Sequence, residues 1–400
     1  MIANGYLRAD GRKGIRNVTA VIYLVECAHH VARRVVELAQ DDDVHLLGFP
    51  GCYPNEYSLR MMKALATHPN VGGVVLVSLG CEGFNREALA SNIEASGRPV
   101  RTVVIQQAGG TRSGIETALA AVKQVREEMI RAERRVPMHF SDLVVGTICG
   151  GSDGTSGIAA NPAVGRAFDR LVDAGASCLF EETGEMIGCE GAMSTRAASP
   201  EVAEAIVASI HNAEKYYRAM GYGSFAPGNA EGGLSTLEEK SAGAYVKSGS
   251  RAINGVIRPA QQPDAPGLYL LDVVPDTAPK FGFPNISDNS EIVELMACGA
   301  HLTLFTTGRG SVVGSAIAPV IKITGNPETY ALMSEDMDID AGRVLEGKST
   351  LDEVGDDIFN LVVSVASGAL SKSESLGHRE FVLTYKSIDA VGPACHPTRA

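Results

Sequence analysis

Residues 72–107 read "GGVVLVSLGCEGFNREALASNIEASGRPVRTVVIQQ". An unbroken apolar run, Gly72–Gly80, reads as a strand, Asn85–Ala95 as a helix and Pro99–Gln107 as a second strand. Continuous apolar strands separated by helices indicate a parallel sheet covered on both faces. The alternation extends outward. "VTAVIYLV" (18–25) and "VHLLGF" (44–49) read as strands, with helices at Ala28–Ala39 and Glu56–Thr67. A long charged helix, Ile115–Arg135, follows, and Pro137 helps to stop it. The first domain is therefore an open α/β unit over residues 1–137. Residues 1–17, with Arg8, Arg12, Lys13 and Arg16, read as a basic arm, either solvated or clamping an acidic substrate or a neighbouring subunit.

The second domain, 138–400, is less regular. Strands are expected at Leu143–Ile148, Ala176–Phe180, "GLYLLDVV" (267–274), "AHLTLFTT" (300–307) and "IAPVIKIT" (317–324). Helices are expected at Val164–Ala174 and about 201–219. Residues 221–266 are rich in Gly, Ser and Ala without a clear period, as in a long ordered excursion near a site. The fold class is thus α/β, with two open, mostly parallel-sheet, Rossmann-like domains and long glycine-rich active-site loops.

The 400 residues are 45% hydrophobic, enough for two or more cores. A net charge of -12 and the absence of Trp argue against non-specific nucleic-acid binding and an aromatic stacking platform. No apolar run is long enough to span a bilayer and the N-terminus has no signal-like segment, so a cytoplasmic protein without membrane contact is expected. Eight cysteines are too sparse for a disulfide scaffold.

Four of those cysteines, Cys27, Cys52, Cys81 and Cys149, follow expected strands. Residues at strand ends of a parallel sheet converge on one edge. The set is a candidate for iron, as mononuclear Fe2+ or an iron–sulfur centre, although thiolates also suit zinc and free cysteines are often simply buried. "FEETGEMIGCEG" (180–191) offers Glu181, Glu182 and Glu185 to a hard divalent cation. Glu182, directly past the strand, is the preferred ligand; the plain alternative is an acidic helix start.

"TICGGSDGTSG" (147–157) packs small polar groups behind a strand. Backbone around Gly150, Gly151, Ser152 and Thr155 is suited to cradle an anion, with Asp153 as an acid or base. It is neither a P-loop nor a dinucleotide fingerprint, which disfavours nucleotide use. "GGLSTLEEKSAG" (232–243) contains a helix cap and Lys240, a carboxylate clamp or a base. "FTTGRGS" (305–311) presents Arg309, whose planar fork suits an acidic group.

Together with "GYLRADGRKGIRN", "GFPGCYPN", "QQAGGTRSGIE" and "DMDIDAG", these segments resemble the altronate/galactarate dehydratase family over almost the whole chain. The resemblance implies an iron-dependent lyase that removes water or sulfite from a small anionic hydroxy acid. Some relatives carry or pair with a small N-terminal domain, so the resemblance implies either a small accessory subunit or a core that acts alone, and a homo-oligomer is expected. Cys189-Glu190-Gly191 stands where a dehydratase-like pattern more often has an acid followed by histidine, so the substrate is open. The expected mechanism holds the carboxylate on Arg309 and the Gly150–Gly157 loop. Lys240, or else Asp153, takes the proton from carbon 2, and loss of the carbon-3 group leaves an enol that becomes a 2-oxo acid. A metal-dependent hydrolase and a non-catalytic sugar-acid-binding protein are the rival classes.

Overall fold

The structure, a computed structural model, describes residues 2–221, 227–275 and 287–383. The N-terminal part runs β1 (Ala3–Leu7), β2 (Lys13–Gly14), β3 (Val18–Tyr23), α1 (Glu26–Ala39), β4 (Val44–Gly48), α2 (Glu56–Ala66), β5 (Val71–Ser78), α3 (Arg86–Ala95), β6 (Val100–Val104), α4 (Ile105–Ala108), α5 (Thr111–Ala132) and β7 (Arg135–Met138). A four-stranded parallel sheet has the order β4-β3-β5-β6. Strand β5 is buried throughout. Its Val74 and Leu76 pack with Met61 and Leu65 of α2, while Val75 and Val77 pack with Val31 of α1 and Val122 of α5. Alternate side chains thus feed opposite helical layers, which is why the run is apolar without alternation. Asn55 and Ser58 form a capping box that starts α2.

The second part runs β8 (Val144–Cys149), α6 (Asn161–Asp173), β9 (Ser177–Phe180), α7 (Glu190–Ser194), α8 (Pro200–Met220), α9 (Pro227–Glu231), α10 (Leu237–Tyr245), β10 (Ile253–Ile257), β11 (Gly267–Leu271), α11 (Asp288–Ala297), β12 (Leu302–Thr307), β13 (Val320–Thr324), α12 (Pro327–Leu332), β14 (Ile339–Asp340), α13 (Leu351–Ala366) and α14 (Lys372–Ser375). Its seven-stranded sheet, β10-β11-β9-β8-β12-β13-β14, is parallel throughout. The architecture is α/β in two domains. One apolar layer joins them: Leu47, Phe49 and Met61 pack in the same core as Ile148, Leu295 and Phe305. Tyr57 Oη donates to Glu294 Oε1 at 2.8 Å across that layer.

Two local readings differ from the sequence expectation. Pro137 does not end a helix; α5 stops at Ala132, and Pro137 lies in β7, which among the described residues pairs with β1 alone and so stands at a sheet edge that tolerates proline. The basic arm is not free either. Its strands β1 and β2 form an antiparallel three-stranded sheet with β7. Arg16 reaches the far end of the chain, donating to Glu374 at 2.7 and 2.9 Å and to the carbonyls of Val365 and Ala369. A half-buried bidentate pair of this kind is worth about 2 kcal/mol. Arg16→Ala is expected to lower unfolding free energy by about that amount in urea titrations. An unshifted midpoint would show that the clamp carries no stability.

Candidate functional site

Strand order places the site. From β8 the chain goes to β9 on one side, and β12 pairs with β8 on the other. Connections therefore diverge between β8 and β12, and ligands of open parallel sheets bind in the crevice beyond such a divergence. The two loops that leave this point are "CGGSDGTSG" after β8 and "GRGS" after β12. A cavity of about 270 Å³ opens there, lined by Cys149, Ser152, Asp153, Asn161, Glu185 and Lys240 among others.

Cys149, the last residue of β8, is buried at the cavity floor. Its Sγ lies 2.9 Å from Ser152 Oγ. Burial pushes its thiol above the ordinary range, with Lys247 pulling it down and Glu185 pushing it up. Asn161 closes the wall, accepting from Thr306 Oγ1 at 2.6 Å and donating to Gly243 O at 2.8 Å. It follows a single π-helical turn, Ser156–Ala160, of the kind that concentrates at functional sites.

The loop spends its polar groups on itself. Asp153 Oδ1 accepts from Thr155 N and Oγ1 at 2.8 and 2.6 Å and from Ser156 N at 3.0 Å. Asp153 thus organises the helix start while lining the cavity. Gly150 N donates to Thr306 O, and Gly151 O accepts from Arg309 N. A Cβ on Gly150 would overlap the Asp288 carboxylate and the Phe305 ring, so glycine is required there. Ser152 keeps its hydroxyl at the cavity.

Glu182 has φ 78°, a left-handed conformation unusual for a residue with a Cβ. Two contacts hold it: Cys149 N donates to its Oε2 at 2.9 Å, and the fully buried Lys247 ion-pairs with the same oxygen. The carboxylate is therefore committed to protein donors. Lys247 escaped the sequence reading, although it stands seven residues, two helical turns, beyond Lys240.

Thr236 caps α10 by accepting from Glu239 N at 3.1 Å. The helix then carries Lys240, 7% exposed, into the cavity, where its Nζ stands 2.5 Å from Glu185 Oε1. Burial pulls Lys240 down, but the charge and hydrogen bond of Glu185 outweigh it and hold the ammonium above its ordinary value. Burial pushes Glu185 up, with Lys240 offsetting part of the rise. Glu185 Oε2 is buried without a hydrogen-bond partner among the described residues.

Asp288 opens α11 beside Gly150. Burial and the Glu185 charge lift its carboxyl from 3.8 to about 6, against the pull of Lys240. The folded state therefore holds more protons than the unfolded chain between those values. The stability it contributes is full below about pH 4 and lost as pH rises through 6. Asp288→Asn is expected to match the wild type near pH 4 and to exceed it at pH 8, by on the order of 3 kcal/mol. Urea denaturation at both pH values checks this; equal differences at the two would contradict it.

Arg309 stands outside the cavity, 46% exposed at its side chain, 3.2 Å from Glu231, and donates to Gly228 O at 2.9 Å. Cys27, Cys52 and Cys81 lie after β3, β4 and β5 at one edge of the smaller sheet and are exposed. Cys149 and Glu182 are buried in the other domain. Among the described residues no three His, Cys, Asp or Glu side chains form a group that holds a metal ion. Glu182 is committed to Lys247 and to the backbone of Cys149, so its carboxylate is held by protein donors. Among the described residues no helix is long and apolar enough to cross a membrane.

Comparison with known proteins agrees with this layout. Residues 140–388 match the family described as D-galactarate/altronate dehydratase, C-terminal, and residues 5–130 match D-galactarate dehydratase/altronate hydrolase, second domain. The beta subunit of (2R)-sulfolactate sulfo-lyase from Chromohalobacter salexigens is 34% identical over 396 residues, covering 95% of this chain and 96% of the relative. Altronate dehydratase of Bacillus subtilis is 31% identical over 95% of this chain and 76% of its own length. Galactarate dehydratase (L-threo-forming) of Escherichia coli is 31% identical over 91% and 72%. The chain belongs to the D-galactarate/altronate dehydratase family.

Proposed function

We propose that this protein is a lyase that eliminates water, or sulfite, from a small 2-hydroxy acid, a sugar acid in the first place, to give a 2-oxo acid. The observation that carries the reading is the Lys240–Glu185 pair, buried in a polar cavity at the divergence of β8 and β12, in a chain of this family.

The proton on carbon 2 is very weakly acidic, so its removal needs a base and a fixed positive charge on the developing enediolate. Glu185 supplies the base: Oε2 faces no other partner, and burial raises its proton affinity. Lys240, held charged, is the cation that binds the substrate carboxylate and then the enediolate. This assigns Lys240 the clamp rather than the base. Ser152 and Asn161 orient the hydroxyls. Asp288, with its carboxyl raised to about 6, protonates the leaving hydroxyl. The carbon-2 proton passes to Glu185, the carbon–oxygen bond at carbon 3 breaks, water departs, and the enol tautomerises. Asp153 keeps the loop in register beneath these groups. Iron, which the family resemblance implies, is assigned no ligands in this reading.

Sulfite as the leaving group is a second reading, supported by the 34% identity to the sulfo-lyase beta subunit over 95% of this chain. Incubation with altronate, galactarate and (2R)-sulfolactate tests both. A 2-oxo acid trapped as its semicarbazone supports the lyase, and released sulfite selects the second reading. All three acids persisting unconverted, with metal-supplemented protein, would contradict both.

A further inference from the structure

The amino edge of the four-stranded sheet carries a second cavity that this reaction does not use. It measures about 240 Å³, and its lining includes Tyr6, Arg8, Asn17, Arg98, Glu133 and Arg134. Asn17 precedes β3 and Arg98 precedes β6, so the cavity opens on the edge opposite the strand ends that bear Cys27, Cys52 and Cys81.

Its buried guanidinium groups are held mainly by backbone carbonyls. Arg98 is 4% exposed; it donates to Val71 O at 2.9 Å and His68 O at 3.1 Å and reaches Asp10 only at 3.3 Å. Among the described residues Arg8 has no carboxylate partner: it donates to Pro69 O at 2.7 Å, Asn17 Oδ1 at 2.8 Å and Arg16 O at 3.0 Å. A guanidinium carries five N–H donors, so two on each arginine have no acceptor among the described residues. Asp10 is engaged more closely by Arg12, at 2.7 Å, and Glu133 by Arg135, at 3.2 Å. Of the lining residues, Arg8, Arg98 and Arg134 stand with Glu133, and Asp10 reaches Arg98, so among these groups the cations outnumber the carboxylates by one, on a chain of net charge -12. The C-terminal turn of α5 adds partial negative charge at the rim, short of that excess. Burial, with Arg98 repelling it, brings Arg8 down to about 9, and burial brings Arg98 down to about 10 against the pull of Asp10.

We propose that this cavity binds a small oxyanion of the phosphate class, as free phosphate or as the phosphate group of a metabolite, on Arg8, Arg98 and Arg134. Guanidinium forks match phosphate geometry, and the buried donors await such an acceptor. The site goes beyond the elimination reaction and stands whether or not that reading holds.

Calorimetric titration of the full chain with inorganic phosphate, at fixed ionic strength, tests it. Arg134 is exposed, so Arg134→Glu is expected to fold, as circular dichroism checks, and to bind phosphate at least about tenfold more weakly. Arg98→Gln is expected to weaken binding similarly, and Lys240→Met to leave it unchanged. Glycerol phosphate binding as tightly as phosphate identifies a phosphomonoester as ligand; weaker binding identifies the free ion. No heat with wild type, equal affinity in wild type and Arg134→Glu, or loss in Lys240→Met alone would overturn the proposal. Tighter binding of succinate than of phosphate would overturn the ligand class.

Discussion

Glu185→Gln is expected to lower kcat by about a thousandfold while changing KM little. Glutamine keeps the shape of the side chain and still faces Lys240, so the cavity and the carboxylate clamp survive. What it loses is an oxygen that takes a proton. The buried, unpartnered Oε2 is the atom at issue. The variant is also expected to stop exchange of the carbon-2 proton with solvent deuterium, because exchange needs the same first step. Turnover within about threefold of wild type would remove Glu185 as base. Asp153 is then the next carboxylate in the cavity, since its Oδ1 alone carries the loop bonds and the group lines the same space.

Lys240→Met is expected to lower kcat/KM by about a thousandfold, through both terms. The ammonium binds the ground-state carboxylate and stabilises the enediolate more strongly, so KM rises and kcat falls. A second effect separates this role from that of a base. Lys240 holds the Glu185 proton affinity down. Without it the Glu185 carboxyl rises further, so the pH at which the remaining activity appears moves upward. Lys240→Arg keeps the charge and is expected to retain the wild-type pH profile. If lysine were the base, Lys240→Met would abolish carbon-2 exchange at every pH, and the profile of the residue would not shift. The pH dependence of exchange in the two variants decides between them.

The α/β plan was legible because β5 carries no charged residue and is buried at every position, as a strand covered on both faces requires. The arm was not, because β1 is half exposed and short, and its pairing with β7 lies over a hundred residues away in sequence. In the site, the cysteine loop after β8 was found from its glycines and hydroxyls. Its internal use was not visible: Asp153 and Thr155 bond each other, a pairing that reads identically to an exposed anion cradle in sequence. Lys240 and the three-acid segment were also found, but which acid faces the lysine depends on the left-handed turn at Glu182, which sends Glu185 into the cavity and Glu182 toward Lys247. Asp288 was missed because an acid in the first turn of a helix ordinarily serves the helix alone. Arg309 had the right strand end, yet its side chain turns to α9, a contact no local pattern encodes.

The central claim is elimination through an enol, and proton NMR of the reaction in deuterium oxide tests it most directly. Anaerobically prepared, metal-supplemented protein is mixed with altronate, galactarate or (2R)-sulfolactate, and the product is read for carbonyl position and deuterium. Elimination predicts a 2-oxo acid from at least one of them, carrying solvent deuterium at carbon 3, where the enol is reprotonated, with the signal absent in Glu185→Gln. A 2-oxo acid that retains only substrate hydrogen at carbon 3, or no conversion of any of the three acids, would contradict it.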